Sequence, residues 1–233
     1  MPTRLSVNFA RPLPVFPLPE TVLLPHTTQR LHIFEARYRQ MIAHAIDHAG
    51  QICMACFEGD TYKMEYEGCP PIRRAVCVGQ IVQHTRLDDG RYNIELLGVC
   101  RARISTMIEP ADDCLYRQAT VEPLEPLGKE PPALPEVRET LRAMMGLPTL
   151  RHLHSADRVR EWTRNEAIST HALLEVVGFV MMTDHEVRYR LLAEGDMRLR
   201  ARLIFEQLND LSRLIATAQK QPFRDWPKGM SWN

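Results

Sequence analysis

Hydrophobic positions change their spacing partway along the chain. Up to about residue 125 they fall in short alternating or β-rich runs, and beyond it they recur at helical intervals. The opening run "LPVFPLPETVLLP" carries Pro14, Pro17, Pro19 and Pro25, which exclude a helix and disfavour a central strand. Short edge strands around Val15 and Phe16 and around Val22 and Leu23 are the expected elements. In "IFEARYRQMIAHAIDHA", Phe34, Tyr38, Met41, Ile42, Ala45 and Ile46 share one helical face, and Gly50 supplies a stop. Glu35 and Arg39 stand at i,i+4 in the stabilising order. The spacing predicts one amphipathic helix of about four turns.

Strands are predicted next in "QICMACFEGD", "AVCVGQIVQHTRL", "RYNIELLGVCRARI" and "YRQATVEPL". "DDG" at 88–90 joins the middle two, because Asp-Gly tolerates the positive φ of a tight hairpin. Several strands with one inserted helix suggest a small, partly closed barrel. The stretch "EPLEPLGKEPPALPE", with five prolines, reads as a stiff connector. Helical patterns follow in "PEVRETLRAMMG", with Val137, Leu141, Met144 and Met145 on one face, then in "SADRVREWTRNEAI" and "STHALLEVVGFVMM". "TDHE" matches a capping box opened by Thr183, and Asp196 is placed to cap a last long helix with Leu199, Leu203, Leu208, Leu211 and Ile215 as its apolar positions. The predicted organisation is α+β, with a β-rich unit over 1–125, a helical unit over 126–221 and a tail over 222–233.

Composition narrows the function classes. Lys plus Arg equals Asp plus Glu at 29 each, so no global field draws the protein to nucleic acid or membrane. The longest apolar run, "ALLEVVGFVMM", is too short for a membrane span and contains Glu175. The opening residues lack the apolar core of a signal peptide, so a cytoplasmic protein is expected, with Cys53, Cys56, Cys69, Cys77, Cys100 and Cys114 as reduced thiols.

The stretch "HAIDHAGQICMAC" holds the most chemistry-like spacing, two histidines four apart and then a CxxC. Zinc accepts two His and two Cys. Yet His44 and His48 fall about 120° and about 80° from the centre of the helix's apolar face. Cys53 and Cys56, an odd number apart in a strand, point to opposite faces. A redox CxxC needs a following helix N-terminus, and here "FEGD" is a turn. The expectation is a helix rim followed by a core strand, with no metal and no cofactor. Elsewhere there is no GxxxxGK[ST], no GxGxxG after a strand and no GxSxG elbow. Ser6, Ser105, Ser155 and Ser169 lack motif context, His152, His154 and Asp157 read as loop residues, and Asp88 and Asp89 as turn formers. No enzyme is indicated. Arg158, Arg160, Arg164, Arg188, Arg190, Arg198, Arg200 and Arg202 crowd the helical part, where Glu194, Asp196 and Glu206 interleave with them. Either an RNA surface or a salt-laced solvated face fits that pattern.

Four motifs, "LPVFPLPETVLLP", "LHIFEARYRQM", "DGRYNIELLGVCRARI" and "YRQATVEPLEP", resemble in sequence and order the N-terminal substrate-binding domain of Lon proteases, across roughly residues 12–127. "RYRLLAEGDMRLRARLIFEQL" is similar to that domain's helical part. The chain departs from the family pattern at "LPHTTQ", at Ala36 where a proline is usual, and in the insertion "EYEGCPPIRR". The resemblance implies a PUA-like β pseudo-barrel with one inserted helix, followed by a helical bundle. It also implies a stand-alone form without the ATPase and peptidase modules, hence a non-enzymatic polypeptide-binding module, an adaptor or regulator in protein quality control. Its partners would be unfolded or exposed polypeptide and a protease or chaperone, with neither membrane nor nucleic acid. Phe16, Leu18, Leu31, Ile33 and Phe34 are the candidate peptide-binding residues, with a plain core role as the alternative. Glu35, Arg37, Tyr38 and Arg39 match the family motif and are expected to brace the helix against the barrel. An RNA-binding module of PUA-like fold, and a metal- or small-molecule-binding regulator built on residues 44–56, stand as the other readings.

Overall fold

The computed structural model describes residues 6–64, 66, 68–126, 132–153 and 155–220. The expected tail, His154 and the middle of the proline-rich connector lie outside the described residues. The architecture is α+β. Six strands, β1 (Leu13–Leu18), β2 (Thr28–Ile33), β3 (Gln51–Cys56), β4 (Ala75–Arg86), β5 (Tyr92–Ile108) and β6 (Gln118–Pro123), pair in the order β2-β5-β4-β3-β1-β6. β5 also pairs with β6, so five of the strands form a ring from which β2 stands apart. The β1–β3 pair is parallel and the others are antiparallel.

Period-two alternation divides the ring's side chains between two cores. Leu13 and Val15, Cys53 and Ala55, Val76 and Val78, Ala102 and Ile104, Ala119 and Val121 make one cluster, two residues from each ring strand. Their neighbours Phe16, Ile52, Met54, Cys56, Ala75 and Cys77 face the other way, into the main core shared with the helices. Every residue of β3 is therefore buried. The helix α1 (Ala36–Ile46) sits between β2 and β3 in sequence and buries Tyr38, Met41, Ile42 and Ala45 of the predicted face, with Ile46 half-buried, in three turns rather than about four; Phe34, expected on that face, precedes the helix and is exposed.

β1 corrects one expectation. It lies inside the sheet between β3 and β6 despite Pro14 and Pro17. Val15 N–H donates to the Arg117 carbonyl beside β6 (2.8 Å), so Pro17, two residues on, turns its nitrogen to the same side. The β6 register covers Leu13 and Pro14 alone, and has ended by Pro17. Pro14 turns its nitrogen toward β3, whose register starts at Val15. Each proline thus falls where no partner strand needs its missing N–H. Val22 and Leu23 belong to a buried connection rather than a strand, and the edge strand is β2, for which the sequence pattern predicts no element.

Five helices follow: α2 (Pro135–Met145), α3 (Ala156–Arg164), α4 (Thr170–Met181), α5 (His185–Ala193) and α6 (Met197–Lys220). Val137, Leu141, Met144 and Met145 are buried on α2 as predicted. Asp184, not Thr183, caps α5, its carboxylate accepting from the N–H groups of Glu186 (2.7 Å) and Val187 (3.4 Å). Asp196 caps α6, accepting from Arg198 N–H at 2.7 Å. On α6 the expected apolar position Leu199 is 47% exposed, and Arg200 beside it is buried. Among the described residues no helix is long and apolar enough to cross a membrane.

Arg200 is buried because it belongs to a four-residue ion cluster that joins the ring to the helices. Arg101 on β5, Glu175 on α4 and Arg200 have side chains 0%, 1% and 1% exposed, and Glu125 follows β6. Arg101 donates to Glu125 (2.7 Å) and to Glu175 (2.6 Å). Arg200 approaches Glu125 at 2.7 Å and Glu175 at 3.1 Å, and donates to the carbonyls of Glu194 (2.9 Å) and Gly195 (3.0 Å). Two guanidiniums and two carboxylates balance, so no net charge is buried. Burial alone would push the Glu125 carboxyl up, but a hydrogen bond from His171 and the charges of Arg101 and Arg200 overrule it and hold it at about 2. A carboxyl depressed in the folded state stabilises it above the unfolded value, and that stability is lost as pH falls toward the folded value. Thermal midpoints measured across pH should accordingly begin to drop below about 4.5 and continue dropping toward 2. Arg200→Met, which leaves buried carboxylates short of a partner, should cost about 3–5 kcal/mol in chemical denaturation.

Candidate functional site

The β4–β5 hairpin outruns the ring. β3 pairs with β4 as far as Gln80, Ile81 N–H still donates to the Gly50 carbonyl (2.7 Å), and beyond it residues 82–86 of β4 have β5 as their strand partner among the described residues. Asp88 and Asp89 make the tip, closed by Gly90 at φ 79°. On the far side of β5, β2 pairs from Thr28 opposite Leu97 to Ile33 opposite Tyr92. The result is a three-stranded wing, β2–β5–β4, projecting from the ring. β2 has no other strand partner among the described residues.

Gly98 N–H donates to the Thr27 carbonyl at 2.9 Å, which fixes the parity of that edge. Residues 27, 29, 31 and 33 turn their backbone polar groups toward β5, and Thr28, Arg30 and His32 turn theirs outward. An open cleft of about 550 Å³ lies on the wing, lined by Arg30, Leu31, His32, Gln83, Asn93 and Glu95 among others. Arg30 is paired with Glu95 at 3.5 Å, with its side chain 89% exposed. His32 shares a 2.7 Å hydrogen bond with Asn93 Oδ1 through Nδ1, and Arg91 meets its Nε2 at 3.4 Å.

The five candidate peptide-binding residues separate. Phe16 is buried against Tyr38, ring centroids 4.6 Å apart, and Ile33 is buried in the same core. Leu18 is half-buried on β1, away from the wing. Leu31 is half-buried at the cleft. Phe34, just past β2, is 61% exposed and stacks on His32 at 6.3 Å. Of the five, the structure presents Phe34 on the face of β2 that carries Arg30 and His32, while Leu31, one residue out of phase, turns with Ile33 toward the main core and Phe16 lies inside it. Val82 is exposed elsewhere on the wing, where β4 bulges between Ile81 and Gln83. The alternation in "TQRLHI" carried the signal for β2.

The motif residues around α1 hold this surface in place. Arg39 donates to the Asp89 carbonyl at the hairpin tip (3.2 Å). Glu35 pairs with Arg37 (2.9 Å) rather than with Arg39, and accepts from Tyr66 Oη at 2.9 Å. The Arg37 guanidinium lies over the rings of Tyr38 (4.7 Å) and Tyr66 (5.1 Å) and donates to the Tyr66 carbonyl. These bonds tie the start of α1 to the loop after β3 and to the wing.

The other candidates do not assemble. His44 and His48 are exposed, Cys53 lies in the ring's inner core and Cys56 in the main core. Burial pushes the Cys53 thiol up, and that of Cys56 up to about 11. Among the described residues no three His, Cys, Asp or Glu side chains converge as metal ligands. His152 accepts from Arg151, and Asp157 pairs with Arg160. Of the crowded arginines, Arg200 is interior, Arg198 pairs with Glu136 (3.2 Å), Arg202 pairs with Glu206 (2.9 Å), and Arg188 lies over Phe179 (5.2 Å).

A family model described as the ATP-dependent protease La (LON) substrate-binding domain matches residues 12–210. Among solved structures the fold is similar to the N-terminal domain of Mycobacterium avium complex Lon protease, with 16% identity and a TM-score of 0.64 over 86% of this chain and 99% of that one. It is also similar to a Lon N-terminal domain protein from Xanthomonas campestris, with 20% identity and a TM-score of 0.59 over 85% and 98% of the two chains. At these identities the two structures bear on the fold alone. No curated protein matches the chain.

The placement of the thiols has a direct check. A maleimide applied to the folded protein should label the exposed Cys69 first, and Cys53, Cys56 and Cys77 only after denaturation, as read by peptide mass spectrometry.

Proposed function

Because the chain belongs to the LON substrate-binding domain family, we propose that it is a non-enzymatic module that binds exposed polypeptide, acting as an adaptor or regulator in protein quality control. The matched residues are those of a substrate-binding domain rather than of an ATPase or a peptidase. Its partners are unfolded segments and a protease or chaperone that receives them, in a reducing, cytoplasmic setting that suits six free thiols.

The observation that carries this reading is Phe34, a large aromatic side chain left 61% exposed beside an open sheet edge. An apolar ring held at the surface by a braced helix start is available to apolar side chains of an unfolded chain, which a folded protein hides. The nucleic-acid reading loses part of its support, since Arg200 is buried and Arg198 and Arg202 are paired with carboxylates.

A fluorescently labelled, carboxamidomethylated model protein that cannot refold should bind with an affinity on the order of micromolar. Phe34→Ala should weaken that binding about tenfold with an unchanged thermal midpoint. Absence of binding at high micromolar protein would count against the proposal. A labelled single-stranded RNA bound with a steep salt dependence would replace it with the nucleic-acid reading.

A further inference from the structure

We propose that β2 takes up polypeptide by strand addition, pairing antiparallel with an extended segment in which an aromatic residue stands two positions before an acidic one. The proposal rests on the polypeptide-binding reading above and specifies its mode and its selectivity.

Three observations carry it. The first is the backbone. Thr28, Arg30 and His32 aim their N–H and C=O groups away from β5, and β2 pairs with no other strand among the described residues. An added strand would satisfy these groups two per residue, the narrow antiparallel pattern. Natural edge strands are usually blunted by proline, an inward-pointing charge or a cover. β2 has no proline, and its register with β5 is continuous over all six residues.

The second observation is charge. Arg30 stands on the wing's outward face, 89% exposed, with Glu95 on one side at 3.5 Å and the open edge on the other. A carboxylate on an added strand would sit opposite Arg30 and complete an acid–Arg–acid row. The same residue argues against a second copy of this chain as occupant. The fullest antiparallel overlap of two β2 edges, centred on Arg30, sets guanidinium against guanidinium, and like charges directly opposite destabilise a pair.

The third is the aromatic step. His32 and Phe34 follow Arg30 at two-residue intervals and stack at 6.3 Å, 23° from coplanar. In antiparallel register the residue opposite His32 lies two positions before the residue opposite Arg30. A ring there meets both His32 and the exposed face of Phe34. Arg91 and Asn93 already hold the imidazole of His32, so the platform is oriented before binding.

The test uses synthetic peptides of about eight residues, one with phenylalanine two positions before glutamate among valine and threonine, the other with lysine replacing the glutamate. The first should bind, and the lysine peptide should bind about fivefold more weakly. Residue-resolved amide exchange on the unmodified protein should show new protection at Thr28, Arg30 and His32. Arg30→Glu should reverse the ranking of the two peptides. Arg30→Pro removes an outward N–H without breaking a bond to β5, and should weaken binding more than Arg30→Ala does. If the peptides and the unfolded model protein bind while these three amides gain no protection, or if Arg30→Glu ranks the peptides as the unmodified protein does, strand addition is wrong and polypeptide binding stands. If neither the peptides nor the unfolded model protein binds, the polypeptide-binding reading fails, and this proposal with it.

Discussion

A carboxylate in the middle of an apolar helix dictates how the two parts of this protein meet. Glu175 lies on α4 beside Leu173, Leu174 and Val177, a setting in which an ion without partners would cost several kcal/mol. It is tolerated because Arg101 arrives from the ring and Arg200 from α6, with Glu125 completing the charge balance. Apolar packing could accept many rotations of a helix layer on a sheet. Four ions that must lie within contact distance of one another accept few. The cluster fixes β5, the segment after β6, α4 and α6 relative to one another, and the surrounding core of leucines, isoleucines and methionines fills in around that arrangement. We regard it as a registry device more than as a source of net stability, in keeping with the general behaviour of buried ion pairs.

The same cluster marks a boundary of what sequence reading reaches. Periodicity placed α1, the β3 to β5 strands and the buried face of α2, because each has a local pattern that alone implies its element. Burial of Arg101 and Arg200 has no local signature. Both stand among other arginines in sequence, and only the tertiary fold separates the interior ones from Arg198 and Arg202 outside. Pro14 and Pro17 misled for a related reason. A proline forbids a ladder bond on one side at one register, and whether such a bond is needed depends on where the neighbouring strands stop. Of the candidate surface, Phe34 was legible as an apolar residue near broken backbone, whereas the choice between a partner and the core for Phe16, Leu31 and Ile33 is made only by the tertiary fold. Arg30 and His32 drew no attention, since six residues with two apolar positions make a weak strand signal.

The wing depends on bracing rather than on bulk. Its outer face is polar, and residues 82–86 of β4 have lost β3 as a neighbour. Arg39 reaching the hairpin tip, and Glu35 with Arg37 holding the start of α1, replace part of the support that a covering layer would give. That suits a recognition element. Edges available for pairing must be left open, and an open edge is useful only if its register is already set.

The interior of the ring has a consequence for how such a domain could diversify. Ala55, Ala102, Ala119 and Cys53 are among the residues that fill it, together with valines and Leu13 and Ile104, and all are buried. Small side chains facing one another across so narrow a bore leave it solid, unlike barrels that carry a guest in the lumen. Related sequences could not acquire a new ligand by carving out this centre without enlarging the whole circumference. New specificities would have to arise on projecting hairpins and strand borders, where single substitutions change the chemistry on display and leave the scaffold untouched.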